Sequence, residues 1–153
     1  MKPSNLRVVL VEPEIPQNTG NIVRLCSCTG SELYLVGKLG FVLSDKYLKR
    51  AGLDYWDNVN IKQYKNLEEL ISEYPDNSFY YLTTKTQRLY TDNSFKEGDF
   101  LVFGSETRGL PEDLLKNNPD KCLTIPMIEG QRSLNLSNSV AIVLYEAIRQ
   151  INL

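Results

Sequence analysis

The stretch that decides the fold runs from Ile125 to Ile151 and reads IPMIEGQRSLNLSNSVAIVLYEAIRQI. A short apolar strand is predicted to end near Pro126, and a loop of small polar residues then leads into a helix that is apolar nearly all round. Exposed backbone and short hydroxyl or amide side chains therefore lie between a strand and a helix. An α/β protein builds a ligand pocket in this way, at the carboxyl edge of its sheet.

Short apolar runs alternate with helical patterns along the rest of the chain. Strands are predicted at 7–12, 32–36, 59–64, 79–83, 100–103 and 122–125, and helices at 19–29, 45–51, 67–74, 111–116 and 137–151. Gly52 is expected to end the second helix. The alternation predicts an α/β fold with a mainly parallel sheet and helices on both faces. Residues 1–153 are interpreted as a single domain, in which the polar stretch 85–98 is either a lid or a passive surface loop.

The composition limits the chemistry that the chain can perform. It contains no histidine, which excludes Ser-His-Asp and Cys-His catalytic sites as well as metal sites with histidine ligands. The net charge is −2, from 17 Lys and Arg against 19 Asp and Glu, so the chain has no global positive field. Any RNA binding would depend on local clusters, at Lys46, Lys49 and Arg50 or at Lys62 and Lys65. A solvated helix face is the plainer interpretation of these clusters.

The same composition indicates where the protein works. Cys26, Cys28 and Cys122 are expected to be buried free thiols in a reducing compartment. No apolar run approaches the ~20 residues that span a bilayer. The segment Met1–Arg7 also lacks the apolar stretch of a signal peptide. We therefore expect a cytoplasmic protein without membrane contact.

The first loop with residues suited to a site follows the first strand. It spans Glu12–Asn21 and leads into a helix that carries Arg24. Asn18, near the start of this helix, and Arg24, in its second turn, are expected to reach a common mouth. A prolyl turn with an Asn cap and a surface arginine is the equal alternative.

Two further loops follow later strands. The second, GSETRGLP at 104–111, has two glycines that allow close backbone approach and places Glu106 near Arg108. It has neither the Gly-Lys-Ser/Thr ending of a P-loop nor the Gly-x-Ser-x-Gly of a nucleophile elbow.

The third loop has four residues suited to cap a helix where one would do, which favours a polar pocket. These residues are Ser133, Asn135, Ser137 and Asn138.

Together the three loops resemble the three motifs of the SPOUT superfamily of RNA methyltransferases. The chain looks most like the short tRNA 2′-O-ribose methyltransferases that modify the wobble nucleotide. The resemblance extends from Val8 to Gln150, and Ser105 and the loop 128–131 depart from the family pattern. It is carried by EPEIPQNTGNIVRLC (12–26), RAGLDYW (50–56), LTTK (82–85), FGSETRGLP (103–111), IPM (125–127) and RSLNLSNSVAIVLYEAIRQ (132–150).

The resemblance implies a fold, an activity and partners. The carboxyl-terminal part would form a deep trefoil knot, and the last helix would join two copies into a homodimer. S-adenosylmethionine would donate a methyl group to the ribose 2′-hydroxyl of the wobble cytidine or uridine in the tRNA anticodon stem-loop. No metal would take part.

The resemblance also implies roles for individual residues. Arg24, Asn18 and Glu106 match the family's catalytic positions. Because arginine has a pKa above ~12 and is a poor base, Arg24 is interpreted as orienting the hydroxyl or stabilising the alkoxide, with an RNA phosphate or a carboxylate taking the proton. Ser137 or Asn138 is left to cap the last helix. The expected cofactor contacts are Leu82, Gly104, Ile125, Met127, Ser133, Leu134 and Asn135.

Three other interpretations remain open at this stage. The chain could be a 2′-O-methyltransferase acting on another RNA site, or a non-catalytic RNA-binding module with the same fold. A small α/β hydrolase or nucleotide-binding protein is the third, and the missing nucleophile, histidine and phosphate loop disfavour it.

Overall fold

The computed structural model describes residues 1–152, apart from the side chains of residues 52–54. Leu153, the end of the predicted domain, lies outside the described residues. Six strands form one sheet in the order β3-β2-β1-β5-β4-β6, and every neighbouring pair is parallel. The predicted parallel sheet is confirmed. The strands are β1 Arg7–Val11, β2 Glu32–Val36, β3 Ile61–Tyr64, β4 Phe79–Leu82, β5 Phe100–Phe103 and β6 Cys122–Leu123.

Five α-helices connect or follow these strands, and each was predicted from the sequence. They are α1 Pro16–Thr29, α2 Lys46–Trp56, α3 Leu67–Glu73, α4 Glu112–Asn117 and α5 Leu136–Asn152. α1 begins three residues earlier than predicted because proline suits the first turn of a helix. β6 is two residues shorter than predicted, since Thr124 pairs with the segment before β5 instead: its N–H donates to the Arg88 carbonyl at 2.8 Å.

The predicted end of α2 at Gly52 is wrong. The helix continues to Trp56, and the Asp45 side chain caps its start by accepting from the Tyr47 N–H at 2.7 Å. Tyr55 and Trp56 pack against the main hydrophobic core. Burying these two rings outweighs the cost of about 1 kcal/mol that a glycine adds inside a helix.

Helices cover both faces of the sheet, as the sequence predicts. Along β1, Val8 and Leu10 lie in the core beneath α1 and α5, whereas Val9 lies in the core beneath α3 and α4. This period-two alternation is what a strand buried on both faces requires. Because the strands are parallel, the carboxyl ends of β1, β5, β4 and β6 lie at one edge of the sheet, where the candidate site is found.

α5 buries one apolar face and exposes part of another. Val140, Val143 and Leu144 are fully buried, while Ile142 and Tyr145 are 36% and 43% exposed. Ile148 is also fully buried. It lies four residues after Leu144 and therefore on the same side of the helix.

The cysteines differ in burial. Cys26 and Cys122 are buried, as predicted, and burial raises the pKa of the Cys26 thiol to about 12. The prediction is wrong for Cys28, which is exposed because two residues along a helix turn its side chain by about 200°. None of the helices in the described part of the chain has the length and apolar character needed to cross a membrane.

Candidate functional site

A cavity of about 830 Å³ opens at the carboxyl edge of the sheet, where β4, β5 and β6 end. This volume is typical of ligand sites, which span about 300–1,000 Å³. All three loops identified in the sequence contribute to its walls. The seven residues predicted to contact a cofactor all line it: Leu82, Gly104, Ile125, Met127, Ser133, Leu134 and Asn135. Asn18 and Glu106 line it too.

The Glu106 carboxylate connects the loop after β5 to the segment that leads into α1. Its Oε1 accepts a hydrogen bond from the Glu14 N–H at 2.8 Å. Its Oε2 accepts from the Ile15 N–H at 2.8 Å and from Asn18 Nδ2 at 3.1 Å. Both oxygens are therefore engaged with donors of another loop, so Glu106 acts here as a connector of loops.

Asn18 and Asn135 extend this network to the third loop. Asn135 Nδ2 donates to Asn18 Oδ1 at 3.1 Å, while Asn135 Oδ1 accepts from the Asn138 N–H at 3.2 Å. Asn135 thus caps α5 and also faces the cavity. The prediction that Ser137 or Asn138 would be the cap is wrong, because the two ends of one amide side chain perform both tasks.

A second link between the same loops was not predicted. The Glu14 carboxylate accepts from the Thr107 N–H at 3.0 Å and from Thr107 Oγ1 at 2.6 Å. These hydrogen bonds lower the pKa of Glu14. The partners are 93 residues apart, and no local pattern in the sequence indicates that they meet.

Gly104 brings two backbone segments into close contact at the cavity wall. A Cβ atom at this position would lie 2.1 Å from the carbonyl carbon of Gly109 and 2.4 Å from the Leu110 nitrogen. The Gly109 N–H donates to the Ser105 carbonyl at 3.0 Å, which closes the turn. The glycine predicted from the sequence to allow close approach is therefore required by the fold of the loop itself.

Arg24 lies outside the cavity. Its side chain is exposed on α1, and its guanidinium carbon lies 5.1 Å from the centroid of the Tyr55 ring. The expected common mouth with Asn18 is not formed within the described chain. Six residues along a helix separate two side chains by about 240°, so Asn18 points to the cavity while Arg24 points towards α2.

Two cations lie at the cavity in addition to the predicted residues. Lys85 and Arg132 both line it, and Lys85 Nζ lies 3.0 Å from Glu112 Oε1. This ion pair lowers the pKa of Glu112. Both belong to segments that carry the family resemblance, LTTK and RSLNL, and neither was predicted to contact the cofactor.

Residues 85–98 are held to the body of the protein. Arg88 Nη1 donates to the Asp120 carbonyl at 3.1 Å, and the Phe95 N–H donates to Gln150 Oε1 of α5 at 2.8 Å. Within this stretch only Lys85 lines the cavity. The contacts favour the passive surface loop over the lid.

The comparisons with known proteins agree with this architecture. A model of the SpoU rRNA Methylase family matches residues 5–145. A protein of Bacillus subtilis (strain 168) is 52% identical over 150 residues, which cover 96% of this chain and 94% of that protein. The tRNA (cytidine(34)-2′-O)-methyltransferase of Methylovorus glucosotrophus (strain SIP3-4) is 50% identical over 144 residues, 94% of each chain.

A solved structure from work on the 2-OH methylation of C/U34 on tRNA has the same fold. It is 41% identical in sequence and covers 95% of each chain with a TM-score of 0.90.

Proposed function

Because the chain belongs to the SpoU rRNA methylase family, we propose that it is a tRNA methyltransferase that modifies the 2′-hydroxyl of the wobble cytidine or uridine. The observation that carries this proposal is the cavity at the carboxyl edge, in which the three motif loops meet. Relatives that are 50% and 49% identical over nearly their whole length have the name tRNA (cytidine(34)-2′-O)-methyltransferase. The resemblance of the three loops to the SPOUT superfamily implies the same function.

The methyl donor in this proposal is S-adenosylmethionine, which supplies an electrophilic methyl group bound to a sulfonium. The cavity fits such a molecule in chemistry as well as in size. Its apolar side chains, Leu82, Phe103 and Ile125, suit a planar heterocycle, and the strand ends beside them offer backbone hydrogen-bonding groups. Lys85 and Arg132 suit the donor's carboxylate.

The residues contribute to the reaction in two ways. Glu106 and Asn18 position the loops around the donor, since their polar atoms are already hydrogen-bonded to one another and to backbone groups. Arg24 lies outside the cavity, so its proposed role requires the bound RNA to bring the ribose to the exposed guanidinium on α1. There Arg24 orients the hydroxyl or stabilises the alkoxide, and an RNA phosphate or a carboxylate takes the proton. Transfer to an oxygen positioned in line needs neither a metal nor a covalent enzyme intermediate.

The proposal also includes a homodimer joined through α5. Ile142 and Tyr145 expose apolar surface on a helix whose other face is fully buried. A patch of this kind on a long helix is the usual signature of an isologous contact between two copies. Ile15 and Leu134 at the cavity are also 42% and 38% exposed, so a partner would shield the site from water.

A deep trefoil knot in the carboxyl-terminal part completes the proposal. The segment after β6 lies beside residues 88–90, where the Tyr90 N–H donates to the Thr124 carbonyl at 2.9 Å. α5 then packs beneath the same stretch through Gln150, whose Nε2 donates to the Asn93 carbonyl at 2.9 Å. These contacts support a chain end threaded behind residues 85–98. The tRNA substrate in turn implies a cytoplasmic enzyme.

Nucleoside mass spectrometry of tRNA from a strain lacking this chain tests the proposed function. We expect 2′-O-methylcytidine or 2′-O-methyluridine to disappear from position 34 of particular tRNAs and to return when the chain is expressed again. Loss of ribose methylation at another RNA position, with position 34 unchanged, would replace the proposed substrate by that RNA.

A further inference from the structure

The chain has a net charge of −2, so a polyanionic substrate must be held by a local surface. We propose that the surface formed by residues 42–50 binds the single-stranded loop of the RNA substrate. We refer to it as the 42–50 surface, and its exposed residues are Val42, Leu43, Ser44, Lys46, Tyr47, Lys49 and Arg50. This inference rests on the proposed function, because it names the part of the chain that would hold that substrate beside the cavity.

The segment just before the 42–50 surface contacts the loop that leads into α1. The Gly40 N–H donates to the Pro13 carbonyl at 2.9 Å, and a Cβ atom at Gly40 would lie 2.7 Å from the Glu14 Cα. The Glu14 N–H in turn donates to Glu106 at the cavity wall. The chain that leads into the 42–50 surface therefore lies, at Gly40, against the same loop that Glu106 holds.

The charge of this surface is positive and faces solvent. Lys46, Lys49 and Arg50 are exposed and share one side of the first two turns of α2, at positions i, i+3 and i+4. The sequence 46–51 contains no acidic residue. The carboxylate of Asp45 just before it is directed at the helix backbone, where it accepts from the Tyr47 N–H. Leu48 is fully buried and fixes which side faces outward.

Apolar and aromatic side chains are interleaved with these cations. Val42, Leu43 and Tyr47 are 66%, 37% and 41% exposed, and Lys46 Nζ lies 5.1 Å from the centroid of the Tyr47 ring. Single-stranded nucleic acids are bound by this combination, in which bases stack on an exposed ring while phosphates pair with cations. Because the 42–50 surface is positively charged, we expect it to bind a negatively charged RNA loop rather than a neutral or basic protein surface.

The experiment compares two charge-matched double variants of the full-length chain. Lys46→Gln/Lys49→Gln removes two cations of the 42–50 surface. Lys2→Gln/Lys96→Gln removes two exposed cations before β1 and β5, at the opposite edge of the sheet. Binding of a fluorescent anticodon stem-loop RNA is measured over a range of salt concentrations. S-adenosylmethionine affinity and thermal unfolding are measured as controls for the site and for folding.

We expect the first double variant to bind the RNA roughly tenfold more weakly than wild type at low salt, with unchanged affinity for S-adenosylmethionine. Its slope of log K against log salt should be shallower by about 1.4, since each phosphate contact on a single strand contributes about 0.7. The second double variant, Lys2→Gln/Lys96→Gln, should match wild type in RNA affinity and in salt slope. Tyr47→Leu should weaken RNA binding while leaving the slope unchanged, because it removes a stacking ring and no charge.

Three results would overturn the inference. RNA affinity and salt slope equal to wild type in Lys46→Gln/Lys49→Gln would show that the RNA is held elsewhere. Equal losses in both double variants would indicate non-specific attraction. A lower sedimentation mass in Lys46→Gln/Lys49→Gln, with RNA binding lost only as a consequence, would make residues 42–50 a contact between copies. If the wild-type chain itself bound no anticodon stem-loop, the proposed function would fail as well.

Discussion

Asn135 Nδ2 lies 3.1 Å from Asn18 Oδ1, a hydrogen bond between residues 117 positions apart in the sequence. Asn18 Nδ2 then donates to Glu106 Oε2, so three side chains from three separate loops form one chain of hydrogen bonds. In each link a side-chain nitrogen donates and a side-chain oxygen accepts. The shape of the cavity therefore depends on all three loops together, and a change in one should affect the others.

Glu106→Gln is expected to lower the free energy of unfolding by about 1–3 kcal/mol. A glutamine offers one accepting oxygen, and its NH₂ group would face the N–H of Glu14 or Ile15 with no acceptor between them. Urea unfolding of the full-length chain measures the change. Glu112→Gln is the control, since this exposed ion pair with Lys85 should contribute less than about 1 kcal/mol. Equal losses in the two variants would mean that Glu106 does not hold the loops together.

Gly104→Ala is expected to destabilise the chain by about 3 kcal/mol and to abolish binding of S-adenosylmethionine. The new methyl group would overlap the Gly109 backbone, which cannot move without opening the turn at the cavity wall. Gly130→Ala is the comparison. Gly130 has a φ of +91° but nothing within 4 Å of an added Cβ, so only backbone strain of about 1–2 kcal/mol should result. Calorimetric titration that found normal donor affinity in Gly104→Ala would contradict this account of the loop.

Arg24→Ala is expected to slow methyl transfer at least 100-fold while leaving the affinity for S-adenosylmethionine unchanged. Because Arg24 lies outside the donor cavity, its loss should leave donor binding unchanged, and the rate should fall because the ribose hydroxyl of the bound RNA loses a cation. Single-turnover transfer to an anticodon stem-loop, together with calorimetry, separates the two effects. Full turnover in Arg24→Ala with unaltered RNA binding would reduce Arg24 to a structural residue.

The Tyr55 ring provides a second test of the same arginine. Tyr55→Phe retains the ring under the guanidinium and should keep the wild-type rate. Tyr55→Leu removes the cation–π contact, worth about 0.5–1 kcal/mol at an exposed site, and should slow transfer several-fold. If the Phe and Leu variants had the same rate, the ring would not be positioning Arg24.

Tyr145→Glu is expected to convert the proposed dimer into a monomer, because it would place a charge in the middle of the apolar face of α5. Analytical ultracentrifugation measures the mass directly. Val42→Glu is the matched control, since it introduces the same charge at an apolar residue that is 66% exposed and lies away from α5. A dimer that survives Tyr145→Glu, or a wild-type chain that sediments as a monomer, would refute the α5 contact.

The spacing of apolar residues and the positions of capping and turn residues predicted most of the fold correctly. The β-branched run of β1 and the Asn66 cap of α3 are local signals, and the structure follows both: Asn66 Oδ1 accepts from the Glu69 N–H at 2.9 Å. Gly52 is also a local signal, yet α2 continues through it because Tyr55 and Trp56, which are partly buried, pack against the core beyond it. Tertiary packing, which a local pattern does not contain, decided the end of that helix.

The candidate site likewise combines features that the sequence predicts with features that arise only from tertiary packing. The three loops at the cavity were predictable, since they follow strands whose carboxyl ends share one edge, whereas the individual cofactor contacts came from the family resemblance. The expected common mouth of Asn18 and Arg24 is wrong because both lie on α1, where their six-residue spacing turns the two side chains to different sides of the helix. The dual role of Asn135 and the contact between Glu14 and Thr107 arise from loops that meet only in the folded chain.

Methyl transfer by the purified chain to a defined RNA tests the central claim most directly. Two anticodon stem-loops that differ only in a ribose or 2′-deoxyribose at position 34 would be incubated with the chain and labelled S-adenosylmethionine. The account predicts label on the nucleotide at position 34 of the ribose substrate and none on the 2′-deoxy substrate. Label on both RNAs would place the methyl group elsewhere, and label on neither RNA nor on the corresponding full-length tRNA would contradict the proposed activity.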